Sequence, residues 1–398
     1  MPGPLEGLRV LDIATVLAGP FAATLMADYG ADVVKLELPG KGDGMRAFPP
    51  FKNGKSLWWK SAQRGKQYAT LDLRRLDGVA LFKRMLPQFD VLIENFRPGT
   101  LDRWGLPKEV LWEIQPRLVI LRVTGFGQDG PYRDRPGFAR IFEAMGGLTG
   151  VTGHAGDEPM HAGFPLGDSI GGLFGAIGML AGLWKRAKDP GAPGEEIDLS
   201  LTESVMRLLD FMPGAYQHLG LKPERRGNRS PYSAPSAVYR TRDNRWVSMA
   251  GSINAMFQNN CRAIGRPDLI DDPRFMDNVA RVQHEDELNE VFASWCADHD
   301  LDQVLEAFEK AEGTLAPVYT IDQIVNDPQV RARRSIVGVA DRSFGSIDMP
   351  NVVPRFSRDR PELGEAAGEV GQDNEAVFGG RLGLSQQEID KLRADCVI

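Results

Sequence analysis

The strongest constraint on the fold lies in the first 125 residues. There, short apolar runs too brief for helices alternate with stretches of helical spacing. Leu8–Ala14, Ala31–Leu36, Tyr68–Leu71, Val91–Ile93 and Leu118–Val123 read as strands. Phe21–Tyr29, led by Gly19-Pro20, and Gly78–Leu86 read as helices between them. Uninterrupted apolar strands separated by helices predict a parallel sheet covered on both faces, and so an α/β fold.

The rest of the chain changes in texture. Asp168–Lys185 has the spacing and the Gly/Ala content of a close-packed helix, and Pro190–Gly194 marks a loop. Helical spacing resumes over Leu201–Leu219. Arg225-Arg226-Gly227-Asn228-Arg229 reads as a basic linker. A hairpin is predicted from Ala237–Thr241 and Trp246–Ala250 with its turn at Asp243-Asn244, followed by helices over Ile253–Ile264, Glu285–Asp298 and Leu301–Lys310. The expected organisation is a large domain over 1–225, a smaller α+β domain over 226–325, and a segment over 326–398 that returns to the large domain. A chain of 398 residues suits two to three domain equivalents.

Composition narrows the function classes. The 54 acidic and 47 basic residues leave a net charge of −7, which argues against non-specific nucleic-acid binding. Cys261, Cys296 and Cys396 have no CxxC spacing, as expected in a reducing, cytoplasmic setting. The five histidines form no HxxxH or HExxH pair, which argues against a catalytic metal. Arg9 and Asp12 interrupt the first apolar run, so no signal peptide is expected. Ile170–Trp184 is too short and Gly-rich to be expected to span a membrane.

Three local patterns carry chemistry. Gly125-Phe126-Gly127-Gln128-Asp129-Gly130 is a literal GxGxxG, but Pro131 and the polar run to Pro136 oppose the helix start that a dinucleotide site needs; a turn is expected. Asp168, after Gly163–Gly167 and at the head of a helix, admits two readings. One is an ordinary N-cap. The other is an acyl-accepting nucleophile kept ionised by helix amides and the macrodipole. Lys35, Arg46, Arg74, Arg75, Arg97 and Arg103 follow consecutive strands of one sheet, at the end where open α/β sheets bind ligands. Arginine there grips phosphate, with Phe96 and Trp104 near enough in sequence to stack a base.

The ordered motifs resemble the family III CoA-transferases, also called CaiB/BaiF-type acyl-CoA transferases. The resemblance rests on Leu5–Asp12, Leu17–Pro20, Gly30–Glu37, Glu94–Gly99, Gly125–Tyr132, Pro165–Gly172 and Glu196–Leu201. It continues through Gly227-Asn228, Ala234-Pro235 and Asp243–Val247. It implies a Rossmann-like large domain with a smaller domain, two subunits interlocked as a homodimer, and Asp168 as the catalytic aspartate. It also implies CoA contacts at Val16, Ala18, Leu71, Asp72, Leu73, Arg74, Asn95, Phe96, Arg97 and Arg103. Acyl-CoA is then the donor and a carboxylic acid the acceptor, with no metal or redox cofactor.

Leu17 and Phe138-Ala139 depart from the Gln and Tyr-Glu of formyl-CoA transferases, so oxalate and formate are not the expected acids. Phe138 also stands where the related racemases place a basic histidine, and it cannot act as a base. His154 and His161 are expected at the surface. Small dicarboxylates are the expected acceptors, with Phe138 and Arg140 as substrate contacts and Arg225, Arg226 and Arg229 as further carboxylate candidates. The competing readings are an α-methylacyl-CoA racemase-type isomerase and a non-catalytic acyl-CoA-binding protein.

Overall fold

The computed structural model describes residues 3–358 and 361–398. Six parallel strands form its main sheet: β1 (Arg9–Asp12), β2 (Asp32–Glu37), β3 (Gln67–Thr70), β4 (Val91–Glu94), β5 (Val119–Thr124) and β6 (Glu195–Ser200). Their order across the sheet is β3-β2-β1-β4-β5-β6. This is the doubly wound order of dinucleotide folds, with a topological switch point between β1 and β4.

Period-two alternation divides the strand residues between two cores. Leu11, Val34, Leu92 and Ile120 face one side, where Leu81, Phe82 and Met85 of α2 (Leu76–Met85) cover them. The C-terminal residues Val377, Phe378, Ile389 and Ile398 complete that core. Burying Phe378 there contributes about 1.5–3 kcal/mol. Val10, Val33, Ile93 and Leu121 face the other side, against α1 (Ala18–Asp28) and α4 (Leu166–Lys188). Between these lies the short α3 (Ala139–Met145).

Helix α4 sits tight on its neighbours because its inner face is glycine. A Cβ on Gly172 would stand 2.7 Å from the Phe21 ring and 3.0 Å from the Ala18 carbonyl oxygen. One on Gly175 would stand 3.0 Å from Leu121. The outer face carries Leu173, Ile177, Leu180 and Trp184, all exposed. At 23 residues this helix is, by length and composition, apolar enough to cross a membrane, contrary to expectation, and its glycine face packs on the sheet and α1.

Contacts divide the chain into two compact units. One comprises residues 1–148, 161–220 and 331–398; the other comprises 149–160 and 221–330. The division falls about five residues from the sequence-based boundaries and assigns 149–160 to the smaller unit. That unit has an antiparallel sheet of β7 (Ser236–Arg240), β8 (Trp246–Ala250) and β9 (Leu315–Pro317), in the order β9-β8-β7. The predicted turn is present, with Asn244 at φ +61°. Phe257, Phe292 and Phe308 pack behind the sheet from helices Asn254–Ala263, Glu285–Ala297 and Leu301–Lys310.

Two elements differ from expectation. The run Leu201–Leu219 is broken at Asp210 (φ +35°) into α5 (Leu201–Met206) and a second helix, Met212–Leu219. β6 was not expected as a strand, because Glu195, Glu196 and Asp198 make it too polar to read as a buried one. It lies at the sheet edge, where one side needs no burial.

Candidate functional site

The carboxyl ends of β1, β2, β3 and β4 open into a cavity of about 360 Å³ beside the switch point. Val16, Leu71, Asp72, Leu73, Arg74 and Phe96, six of the expected CoA contacts, line it together. Trp104 lines it too and meets Phe96 edge-on, with ring centroids 5.1 Å apart. Among the other expected contacts, Ala18 is buried in the first turn of α1. Asn95 binds backbone: its Oδ1 accepts from Thr15 N at 2.7 Å and its Nδ2 donates to Thr15 O at 2.7 Å. Arg97 and Arg103 are exposed outside the lining, and Arg103 donates to Thr100 Oγ1 at 2.9 Å.

The cations expected as a phosphate-gripping set separate. Lys35 is fully buried, 3.1 Å from the Asp43 carboxylate, and does not reach the cavity as a free charge. Arg46 is committed to Glu37 (2.8 and 2.6 Å) and stacks 3.9 Å above Trp59. Arg74 makes two 2.7 Å bonds to Asp72, which hold that carboxyl below its ordinary range. The sequence reading missed Leu38, Lys41, Gly42, Asp43 and Gly44, which line the cavity from the loop after β2. Their signal was the glycine spacing Gly40-Lys41-Gly42-Asp43-Gly44 directly following a strand.

The GxGxxG segment follows β5 and continues without a helix until Ala139, so it is a turn as expected, with Gly127 and Gly130 at positive φ. Asp168 is not the N-cap of α4. The helix begins at Leu166, and Asp168 is its third residue. The first-turn amide of Gly167 donates to Glu143 Oε1 at 2.9 Å, so a buried carboxylate from α3 occupies the helix start. This reverses the expected electrostatics. Burial, then the negative charge of Glu143, push Asp168 up to about 6 instead of holding it low. Nor is His161 a bystander at the surface: its Nδ1 lies 3.3 Å from Glu143 Oε2.

Asp168 and Gly172 share a helix face one turn apart. Gly172 abuts the Ala18 carbonyl, at the end of the loop that carries Val16 into the cavity wall, and Asp168 lies one turn before Gly172 on α4. Phe138 and Arg140 are exposed at the start of α3, and a Cβ on Gly167 would lie 3.2 Å from the carbonyl of the intervening Ala139. A row of rings, Phe48–Trp58–Phe164 at 5.8 and 5.9 Å, flanks the loop before Asp168. In the smaller unit, Arg226 pairs with Glu285 and Arg229 with Asp286, while Arg225 donates to Asp157 O at 2.7 Å. Those three arginines are therefore committed to their own unit's framework.

A sequence profile for CoA-transferase family III matches residues 5–374. The chain is a family III CoA-transferase. Its sequence is 40% identical, over all of this chain and 98% of the relative, to a succinyl-CoA–D-citramalate CoA-transferase of Chloroflexus aurantiacus. It is 39% identical to the beta subunit of a succinyl-CoA–L-malate CoA-transferase from the same organism, over 99% and 98% of the two chains. The crystal structure of a CAIB/BAIF family protein from Brucella suis superposes with a TM-score of 0.83 at 29% identity. It covers 96% of the transferase and 100% of that chain. The enzymatic reading therefore stands over the non-catalytic one.

Proposed function

We propose that this transferase moves CoA from succinyl-CoA or a similar donor to a small dicarboxylic acid through covalent intermediates on Asp168. The observation that carries this reading is Asp168 in the first turn of α4, the helix whose Gly172 packs against Ala18 at the end of the loop lining the cavity. The ionised carboxylate attacks the donor thioester carbonyl, the C–S bond breaks, and CoA leaves as thiolate from an aspartyl mixed anhydride. The thiolate attacks the aspartyl carbonyl and expels the donor acid, giving an aspartyl-CoA thioester. The acceptor carboxylate then attacks that carbonyl and releases the thiolate again. Attack of the thiolate on the acceptor acyl carbon forms the product and restores Asp168. Each step exchanges one activated acyl bond for another, so no ATP is consumed.

The two Chloroflexus relatives, named for citramalate and malate, support a hydroxylated dicarboxylate as acceptor. Arg140, exposed beside the start of α4, is assigned to the acceptor's distal carboxylate, with Phe138 as its apolar neighbour. The test is a donor-by-acceptor panel read by mass spectrometry. Succinyl-CoA with a C4 or C5 dicarboxylate is expected to give the acceptor thioester, with no deuterium entering the α-position of a 2-methylacyl-CoA in heavy water. Deuterium exchange without any acceptor acid would instead identify an isomerase.

The exposed Leu173, Ile177, Leu180 and Trp184 supply a continuous apolar stripe on α4, which supports an interlocked homodimer as the working form. Sedimentation is expected to give twice the chain mass at micromolar concentration; a monomer there rejects the dimer.

A further inference from the structure

The loop between β1 and α1 is gripped by side chains at nearly every backbone polar group. Lys35 Nζ donates to Ala14 O, and Asn95 holds both Thr15 N and Thr15 O. Val16 N donates to the Asp43 carboxylate, at 3.1 Å from each oxygen, and Val16 O accepts from Gln63 Nε2 at 3.0 Å. Lys66 Nζ donates to Pro20 O at 2.8 Å. Lys35, Asp43, Gln63 and Lys66 are all buried. They are also joined to one another: Lys35 lies 3.1 Å from Asp43 and 3.8 Å from Asp12, while Lys66 lies 2.9 Å from Asp12 and 2.7 Å from Gln63 Oε1.

Val16 sits at the centre of this grip with φ +66°. A β-branched residue rarely adopts that conformation, because its Cβ crowds the backbone. Such strain persists only where the surroundings over-determine it, and it concentrates at ligand sites. Buried ion pairs are also a poor means of stabilising a fold, since apolar packing of the same volume does as well. A buried ionic cluster that converges on a strained residue in a cavity wall is better explained by what that wall must do.

We propose that Asp43 and Gln63 are positioning residues for acyl-CoA, holding the Val16 backbone from both of its polar atoms so that the cavity rim is set before the ligand arrives. The proposal rests on the reading that this cavity takes the CoA portion of the substrate. The strain at Val16 is thereby borne by the folded protein instead of by binding, which lowers the ordering cost of association.

The test is a rescue experiment. Asp43→Asn is expected to raise KM for acyl-CoA about tenfold with kcat little changed, as for lost binding common to ground and transition states. Val16→Gly in the same chain is expected to recover most of that loss, because glycine takes positive φ without a carboxylate to hold it. Gln63→Glu keeps the acceptor for Lys66 but removes the donor to Val16 O, and serves the same comparison should Asp43→Asn fail to fold. A KM that does not move in either variant, or a loss that Val16→Gly does not recover, overturns the proposal. Leu38→Trp, which fills the cavity from a half-buried position, separates the two levels. If it binds CoA as tightly as the unaltered protein by calorimetry, the reading of the cavity itself fails. If it blocks CoA while the Asp43 and Gln63 variants bind normally, only the positioning role fails.

Discussion

Asp168→Ala is expected to lower CoA exchange by about 10⁴-fold or more, the scale seen when a covalent nucleophile is deleted and only binding effects remain. CoA affinity is expected to hold, because the cavity residues lie on the loops after β1 to β4 and Asp168 is not among them. The helix start is also preserved, since Gly167 N donates to Glu143 and not to Asp168. In the unaltered enzyme, hydroxylamine added during turnover with succinyl-CoA should convert Asp168 to its hydroxamate, a mass change absent from Asp168→Ala. Equal exchange rates in the two proteins would reject the covalent route. The pH profile provides a second reading. Burial and Glu143 push Asp168 up to about 6, and only the ionised carboxylate attacks. As pH falls below about 6, protonation therefore removes the nucleophile, and kcat/KM should drop about tenfold per pH unit. An acid limb near 4 would show Asp168 to be well solvated during turnover, as an ordinary carboxylate is.

The parallel core was legible because short continuous apolar runs such as Val91–Ile93, set between helical stretches, fit strands buried on both faces. β6 was not legible. Its acidic residues satisfy an edge position, and nothing local distinguishes a polar edge strand from a loop. The sequence singles out Asp168 at the head of a Gly-rich helix, where an N-cap and a nucleophile look alike, but it does not predict the electrostatics there. The sequence shows a carboxylate near helix amides; it does not show that Glu143, 25 positions earlier, reaches the first of them. The cations failed for the same reason. Lys35 and Arg46 follow a strand as ligand-binding residues do, but their carboxylate partners Asp43 and Glu37 lie within nine positions, and only the fold shows that these pairs are buried. Residue type and strand-end position pointed to Arg74, Phe96 and Trp104 of the cavity wall, the family resemblance added Val16, Leu71, Asp72 and Leu73, and the loop after β2 went unread. Which charges remain available to a ligand depends on pairings made in three dimensions.

The second large effect concerns one of those pairings. Lys35→Met is expected to destabilise the large unit by about 3–5 kcal/mol, the cost of leaving a buried charge without its partner. Burial pulls the Lys35 ammonium down, but Asp12, Asp43 and Glu37 outweigh it and the net direction is upward. A base whose folded pKa is raised contributes stability that is complete below its unfolded value and is lost as pH rises through the folded one. The Lys35 contribution is therefore intact at neutral pH and fades only above about 10.5. Lys66 behaves oppositely. Burial lowers it to about 8, so the unfolded chain holds its proton more tightly and stability gains as pH rises from about 8 towards 10.5. Lys66 also cannot replace Lys35, because its bonds go to Asp12, Gln63 and Pro20 and leave Asp43 uncompensated. Urea unfolding at pH 7 should then rank Lys35→Met as more damaging than Lys66→Met, with Arg75→Ala, which breaks only the exposed pair to Asp77, within about 0.5 kcal/mol of the unaltered protein. A Lys35→Met protein as stable as the Arg75 variant would mean that Asp43 takes up a proton or water on losing its partner. In that case the loop between β1 and α1 would not depend on a charged Asp43.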